Sequence, residues 1–254
     1  MKLSLSNGIF SKLGLVENFA TVKRLGFENI EFNMKTVRTE NDTAVYEAKA
    51  LLDTSGLNCL TLHSGALHIK DEVEVHRAVY YGKISLEFAH RLGVPIMTVH
   101  SNVAKKLPQP VRERCLGEVF GELNDYSKTL GIQLALENLS YTSTGFGKNV
   151  EQLEEVLRIV DDGDMGITFD FCHALETKQT ENLLEKFGRR VRNVHMANKA
   201  HKPFTQPTPE LTSFLDRLHE FGYSGPITLE IGHRTAIEEI VKSKTLFEKL
   251  LKEF

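Results

Sequence analysis

Four short apolar runs in the second half of the sequence each close on a side chain that can bind a metal ion. Their final residues are Glu137, Asp170, His195 and Glu230. Three carboxylates with one imidazole suit an oxygen-preferring cation such as Mg, Mn or Co, and the imidazole also admits Zn or Fe. The sequence therefore predicts a divalent metal site built from these side chains, and it leaves the identity of the metal open.

Two earlier apolar runs close on histidine, at His63 and His100. With Glu137 as a bridging ligand, these histidines would complete the site of a second ion. The ions of such two-metal sites sit about 3.5–4 Å apart. They would equally serve as hydrogen-bond partners of a substrate. The residues alone leave both interpretations open, so the number of ions is predicted as one or two.

The elements that must bring these side chains together follow an alternating order. Apolar runs that read as buried parallel strands alternate with amphipathic helical patterns closed by glycine. The predicted strands cover residues 2–7, 29–33, 57–63, 95–100, 133–138, 165–170, 191–196 and 225–231. The predicted helices cover residues 15–25, 42–54, 72–92, 110–130, 149–160, 180–187, 207–221 and 236–254.

Eight strands and eight helices in alternation predict an α/β protein with a single (β/α)8 TIM barrel over residues 1–254. The length of 254 residues suits one such barrel, which typically needs about 250. Because the carboxyl ends of all barrel strands meet at one rim, the six predicted ligands would converge there.

Composition restricts the class of protein. Hydrophobic residues make up 41% and charged residues 26% of the chain, as in ordinary globular proteins. A net charge of -3 gives no overall attraction to nucleic acid, which argues against a nucleic-acid partner. Cys59, Cys115 and Cys172 are an odd number without zinc-type spacing, which favours a reducing compartment. Without a signal-like start or a run of about 18 apolar residues, we expect a cytoplasmic protein without membrane association.

The segments around the predicted ligands resemble the xylose-isomerase-like TIM barrel superfamily, over essentially the whole chain. The matching segments are residues 136–138 (Leu-Glu-Asn), 169–173 (Phe-Asp-Phe-Cys-His), 194–196 (Val-His-Met) and 229–231 (Leu-Glu-Ile). This superfamily includes sugar and sugar-phosphate isomerases and epimerases, inosose dehydratases and the endonuclease IV group of DNA repair enzymes. The resemblance also leaves a homo-oligomer open, since related barrels often form dimers or tetramers.

The ketose epimerase branch of this superfamily implies a role for each matched residue. There, the corresponding Glu, Asp, His and Glu hold one divalent metal, and the two glutamates also transfer protons. The resemblance thus implies that Glu137 and Glu230 are an acid/base pair, that Asp170 and His195 fix the ion, and that His173 hydrogen-bonds the substrate. The implied activity is a sugar or sugar-phosphate isomerase or epimerase acting through a metal-stabilised enediolate on a small carbohydrate.

Basic residues follow the last two predicted strands, where barrels frequently bind phosphate. Lys199, His201 and Arg234 are the candidates for substrate binding. A phosphorylated sugar would use them, although a solvated basic loop accounts for the same residues.

Two alternative activities belong to the same superfamily. An inosose-dehydratase-like lyase would use the same site. An endonuclease IV-like phosphodiesterase would bind three zinc ions, and His63, His100 and His173 match positions that this group uses. Its third ion needs an Asp-x-His pair after strand seven, which residues 196–204 lack, and His201 alone does not supply that pair.

Overall fold

The eight predicted strands close into a parallel barrel in which each strand pairs with the next and the last with the first. The computed structural model describes residues 1–37, 43–160 and 163–254. The strands are β1 (Lys2–Ser6), β2 (Asn29–Asn33), β3 (Asn58–His63), β4 (Ile96–His100), β5 (Gln133–Glu137), β6 (Gly166–Asp170), β7 (Val191–Met196) and β8 (Pro226–Leu229). The predicted TIM barrel is therefore confirmed.

Helices surround this barrel. Over the described residues they are α1 (Leu15–Arg24), α2 (Ala44–Ser55), α3 (Val75–Leu92), α4 (Gln109–Leu116), α5 (Glu122–Thr129), α6 (Val150–Val160), α7 (Phe171–Thr177), α8 (Thr180–Phe187), α9 (Pro209–Glu220) and α10 (Ile237–Leu250). In those ranges no helix combines the length and apolar character needed to cross a membrane.

The helices differ from the predicted set in two places. The predicted helix over 110–130 is interrupted by a π-helical turn, Gly117–Gly121, which separates α4 from α5. Among the described residues, α7 is an additional helix that was not predicted, and it starts directly after β6 without a loop. The predicted start of the second helix, at Asp42, lies outside the described residues.

Strand β8 ends two residues earlier than predicted. β8 stops at Leu229, so Glu230 lies one residue beyond the strand. Its backbone N–H still donates to the carbonyl of Met196 on β7, at 3.2 Å. Glu230 therefore remains attached to the rim of the barrel.

Apolar packing lies mainly between the strands and the helices, with fully buried residues such as Phe32, Leu86, Phe120 and Phe214. The interior of the barrel is different, since TIM barrels usually fill it with Val, Ile and Leu. Here it holds a layer of buried polar side chains, which we call the polar layer: Glu31, Thr61, Thr98, Thr168, Asn193 and Thr228.

The polar layer is joined by hydrogen bonds between strands that are not neighbours. Asn193 on β7 donates to Glu31 on β2 at 3.0 Å, and Thr98 on β4 contacts Thr168 on β6 at 2.8 Å. Such contacts can only run through the barrel interior. Buried polar groups are stable when they are paired in this way, so the polar layer forms a bonded floor beneath the strand ends.

Candidate metal centre

The four side chains predicted to hold a metal ion come together at the carboxyl ends of β5 to β8. Potential ligand atoms of Glu137, Asp170, His195 and Glu230 all lie within 4.8 Å of one another. The Nδ1 atom of His195 is 3.4 Å from Oε2 of Glu137 and 3.3 Å from Oε2 of Glu230. The strand-end pattern thus converges as the barrel geometry requires.

Three atoms of this group are buried without a hydrogen-bond partner: Oε1 of Glu137, Oδ2 of Asp170 and Nδ1 of His195. Most buried polar atoms in folded proteins are bonded. Oxygen and imidazole nitrogen atoms left without partners and facing one another are the arrangement that a divalent cation satisfies. The residues present therefore fit a metal ion.

His63 and His100 form a second group with Glu137, again within 4.8 Å. The Nε2 atom of His100 lies 2.9 Å from Oε2 of Glu137, and that of His63 lies 3.5 Å from the same oxygen. The Nδ1 atom of His63 is 2.9 Å from the carbonyl oxygen of Ser64, so it carries the proton in the neutral ring. Its Nε2 lone pair then faces the site, and Glu137 belongs to both groups.

A third group joins Asp170, His173 and His201. Nδ1 of His173 lies 2.9 Å from the carbonyl oxygen of Asn138, and Nδ1 of His201 lies 3.0 Å from that of Glu230. Each ring therefore donates through Nδ1 and keeps Nε2 for a ligand or substrate. The sequence lacks the Asp-x-His pair that the third zinc ion of the endonuclease IV group needs. His201 nevertheless lies beside Asp170 and His173 in this group of side chains.

The backbone that carries His201 is unusual. Ala200 and His201 have φ angles of 58° and 50°, in the left-handed region that residues other than glycine seldom adopt. Strain of this kind persists where the surrounding structure imposes it, often at functional sites. The turn brings His201 to within 5.3 Å of the His173 ring, measured between ring centroids.

Local structure also explains how Asp170 is held. It ends β6 and caps α7, where its Oδ1 accepts the backbone N–H of His173 at 2.7 Å. Asn138 forms a reciprocal pair with its backbone, donating to the Asp170 carbonyl and accepting the Asp170 N–H, at 2.9 and 2.8 Å. No role was predicted for Asn138, although its place directly after Glu137 is a strand-end signal.

Burial and neighbouring charges shift the pKa values in opposite directions. Burial alone would raise the pKa of Glu137, but the adjacent His100 and His195 hold it well below its usual range. Burial raises the pKa of Asp170 to about 6, with His173 opposing the shift and Glu137 adding to it. Burial would lower the pKa of His195, yet Glu31, Glu137 and Glu230 place it well above its usual value.

Glu31 is a residue of the site that strand-end reasoning missed. It lies in the middle of β2, is fully buried, and its Oε2 is 2.9 Å from Nε2 of His195. Glu31 stands between Ile30 and Phe32, and a charged residue between two apolar strand residues is rarely buried unless it is paired. That pattern was the available signal in the sequence.

A cavity of about 280 Å³ opens above the group. Of the predicted site residues, it is lined by His100, Glu137, His173, His201 and Glu230. His63, Asp170 and His195 are buried beside or beneath it. Lys199 and Arg234 are exposed and do not line it, whereas Lys35 and His233 do. Lys35 lies two residues beyond the end of β2, so a search extended past strand ends would have found it.

Comparison with known proteins agrees with this architecture. Residues 19–251 match the model of the family described as xylose isomerase-like TIM barrel. The chain belongs to that family, which confirms the resemblance drawn from its motifs.

Individual relatives are distant. An uncharacterized protein of Methanocaldococcus jannaschii, MJ1311, is 26% identical over 178 residues, which are 66% of this chain and 60% of that protein. A solved structure of L-ribulose 3-epimerase superposes with a TM-score of 0.85 at 14% identity, covering 99% of this chain and 95% of that one. The IOLI protein, solved with a zinc atom, gives a TM-score of 0.80 at 20% identity, covering 100% and 99%. At these identities, the solved structures establish a shared fold.

Proposed function

We propose that this protein is a divalent-metal-dependent isomerase or epimerase of a sugar or sugar phosphate. The observation that carries the proposal is the group of Glu137, Asp170, His195 and Glu230, with three unpaired buried ligand atoms. The similarity to an epimerase and to a zinc-containing protein of the same fold supports it.

These four side chains would hold one ion, and Mn, Co, Mg, Zn and Fe all suit the donor set. When bound, a divalent ion polarises a substrate carbonyl and stabilises negative charge on oxygen. His100 hydrogen-bonds to Glu137, and Nε2 of His63 lies 3.5 Å from the same oxygen of Glu137. This arrangement would also admit a second ion.

Glu137 and Glu230 are the proposed proton-transferring pair. The pKa of Glu230, like that of Glu137, is held well below its usual range because His195 outweighs the effect of burial. Both are therefore carboxylates at neutral pH and can accept a proton. The Glu230 side chain is 17% exposed and lines the cavity, whereas Glu137 is fully buried.

The proposed reaction moves one proton at a carbon next to a carbonyl. A glutamate oxygen takes the proton, and the electrons of the broken C–H bond enter the adjacent carbonyl system to give an enediolate. Return of a proton to the other face of that carbon gives the epimer. Return of a proton to the neighbouring carbon gives the isomer, provided that the hydroxyl proton also passes to the former carbonyl oxygen. Of the two carboxylates in the cavity, one accepts this proton, and the other must bind a proton from solvent before it returns one to the substrate.

Substrate contacts would come from His173 and His201, whose rings meet at the cavity. Lys199 and Arg234 are exposed, so they would bind only a group that extends out of the cavity, such as a sugar phosphate. The substrate class is therefore a small carbohydrate, with the phosphorylated form tested beside the free one.

The test is deuterium exchange. Ketoses and their phosphates are incubated in deuterated water with the Mn- or Co-loaded protein and followed by proton NMR. We expect deuterium at the reacting carbon, and loss of this exchange in Glu230→Gln. Product without deuterium would instead indicate a hydride shift. Absence of any exchange or product, with metal bound, would overturn the proposal.

A second candidate is an endonuclease IV-like phosphodiesterase. The observation that favours it is the adjacency of three potential ion groups that share Glu137 and Asp170. The net charge of -3 argues against this function, because contacts to DNA phosphates normally come from clustered Lys and Arg. Nicking of a duplex with an abasic site, in the absence of sugar exchange, would establish this alternative.

A further inference from the structure

Glu31 lies beneath the candidate metal centre and hydrogen-bonds to one of its proposed ligands, His195. Its Oε2 accepts from Nε2 of His195 at 2.9 Å, while Nδ1 of His195 faces Glu137 and Glu230 on the other side. Both side chains are wholly buried. His195 is thus held between one carboxylate on β2 and two at the rim.

This contact determines which nitrogen of the ring is available. A carboxylate can only accept, so Nε2 of His195 must carry a proton. In the neutral ring Nδ1 then bears the lone pair, and Nδ1 is the atom left without a hydrogen-bond partner. Glu31 therefore selects the tautomer that presents a ligand atom to the group at the rim.

The carboxylate is itself fixed in place. The same Oε2 accepts from Thr61 Oγ1 at 2.9 Å and from Asn193 Nδ2 at 3.0 Å, and Thr228 in turn donates to Asn193 at 3.1 Å. Donors from β3 and β7 thus converge on one oxygen atom. An acceptor held in this way orients the His195 ring.

We propose that Glu31 is a positioning residue that fixes the tautomer and ring orientation of His195 for metal binding. The proposal rests on the proposed function, since it presumes that the four-residue group holds a divalent ion. Outer carboxylates that accept from a ligating histidine typically contribute 10–100-fold, approximately, to metal affinity.

The test measures metal affinity rather than activity. Glu31→Gln keeps the size of the side chain but removes its charge and gives up one acceptor oxygen. The matched control is Thr168→Val, which removes a hydrogen bond of the polar layer that touches neither Glu31 nor His195. Zinc and cobalt affinities are measured by chelator competition, together with the visible spectrum of the cobalt-loaded proteins and their thermal unfolding.

We expect Glu31→Gln to lower both affinities by about 10–100-fold and to change the cobalt spectrum. Thr168→Val should keep the affinity and spectrum of the unmodified protein even if its melting temperature falls. Equal affinity and spectrum for Glu31→Gln and the unmodified protein would overturn the proposal. If the unmodified protein binds neither metal, the proposed function fails instead.

A second measurement needs no variant, in case Glu31→Gln does not fold. Nitrogen-15 NMR of the histidine rings in the zinc-loaded protein reports which nitrogen carries the proton. The proposal requires His195 protonated at Nε2 with zinc at Nδ1. Zinc at Nε2, or a proton on Nδ1, would contradict it.

Discussion

The Nε2 atom of His100 lies 2.9 Å from Oε2 of Glu137, so the ring anchors one carboxylate oxygen while Oε1 has no partner. The side chain of His100 is 25% exposed and that of Glu137 is not exposed. A cavity-lining histidine therefore orients a buried carboxylate whose other oxygen is free for a ligand.

Glu137→Gln and His100→Gln should consequently differ in effect. Loss of the Glu137 carboxylate removes the proposed proton acceptor and metal ligand, and should lower the exchange rate about 10²–10⁴-fold. The His100→Gln amide can still donate to Glu137, so we expect a decrease of only about tenfold or less. Initial rates of deuterium exchange, measured at equal metal occupancy, compare the two. Equal rates for Glu137→Gln and the unmodified protein would exclude Glu137 from catalysis.

Asp170→Asn should stabilise the metal-free protein. The pKa of Asp170 is about 6 in the folded protein, against 3.8 for an unperturbed aspartate. Ionisation of Asp170 therefore disfavours the folded state. This penalty is present above about pH 6 and is lost as the pH falls below 4, approximately. Asparagine also keeps the cap of α7, since it is a good N-cap residue.

At neutral pH we therefore expect Asp170→Asn to raise the melting temperature of the metal-free protein by about 2–4 °C, the shift for about 1 kcal/mol in a chain of this size. The same variant should bind metal more weakly. Near pH 4 the two melting temperatures should converge, which serves as the internal control. A lower melting temperature for the variant at neutral pH would refute this explanation.

Metal affinity should rise with pH. In the metal-free protein, Asp170 binds a proton near pH 6, and His195 is protonated because Glu31 and the other carboxylates outweigh the effect of burial. Both protons must leave before these groups can act as ligands, and each one displaced changes affinity about tenfold per pH unit. Competition titrations between about pH 5.5 and about pH 7.5 would measure this slope. An affinity independent of pH would show that neither group is a ligand.

Much of this site could be predicted because barrel geometry turns a strand-end pattern into proximity. Glu137 and Asp170 close their strands, and that alone places them on one rim. Glu31 was not predicted as a site residue, because its role depends on a contact across the barrel with His195, which is 164 residues away in sequence. His201 was predicted as a substrate-binding residue, but its approach to His173 depends on a left-handed turn at Ala200, which no residue type signals.

The helices show the same limit. α7 covers only seven residues and follows β6 directly. No turn or loop residues precede it in the sequence, so its start was not predicted. Its start depends on the capping bond of Asp170, a residue already interpreted as a metal ligand.

Gly82 on α3 provides a test of packing away from the site. A Cβ atom there would lie 2.6 Å from both methyl carbons of Leu123 on α5, which is fully buried. Gly82→Ala should therefore lower the free energy of unfolding by about 1–3 kcal/mol. The control is Gly121→Ala, where nothing lies within 4 Å of the added atom.

Urea denaturation should show Gly121→Ala unchanged or more stable by about 0.4–1 kcal/mol. A Gly82→Ala protein as stable as the Gly121→Ala protein would mean that Leu123 moves away at no cost.

The number of metal ions per chain tests the central claim most directly. The protein is stripped with a chelator, reloaded with Mn, Co or Zn, desalted, and its metal content is measured by inductively coupled plasma mass spectrometry. We predict one tightly held ion per chain, which Asp170→Asn fails to retain. If the folded, reloaded protein retains no ion, the account is contradicted. If it retains three ions, phosphodiester cleavage becomes the favoured function.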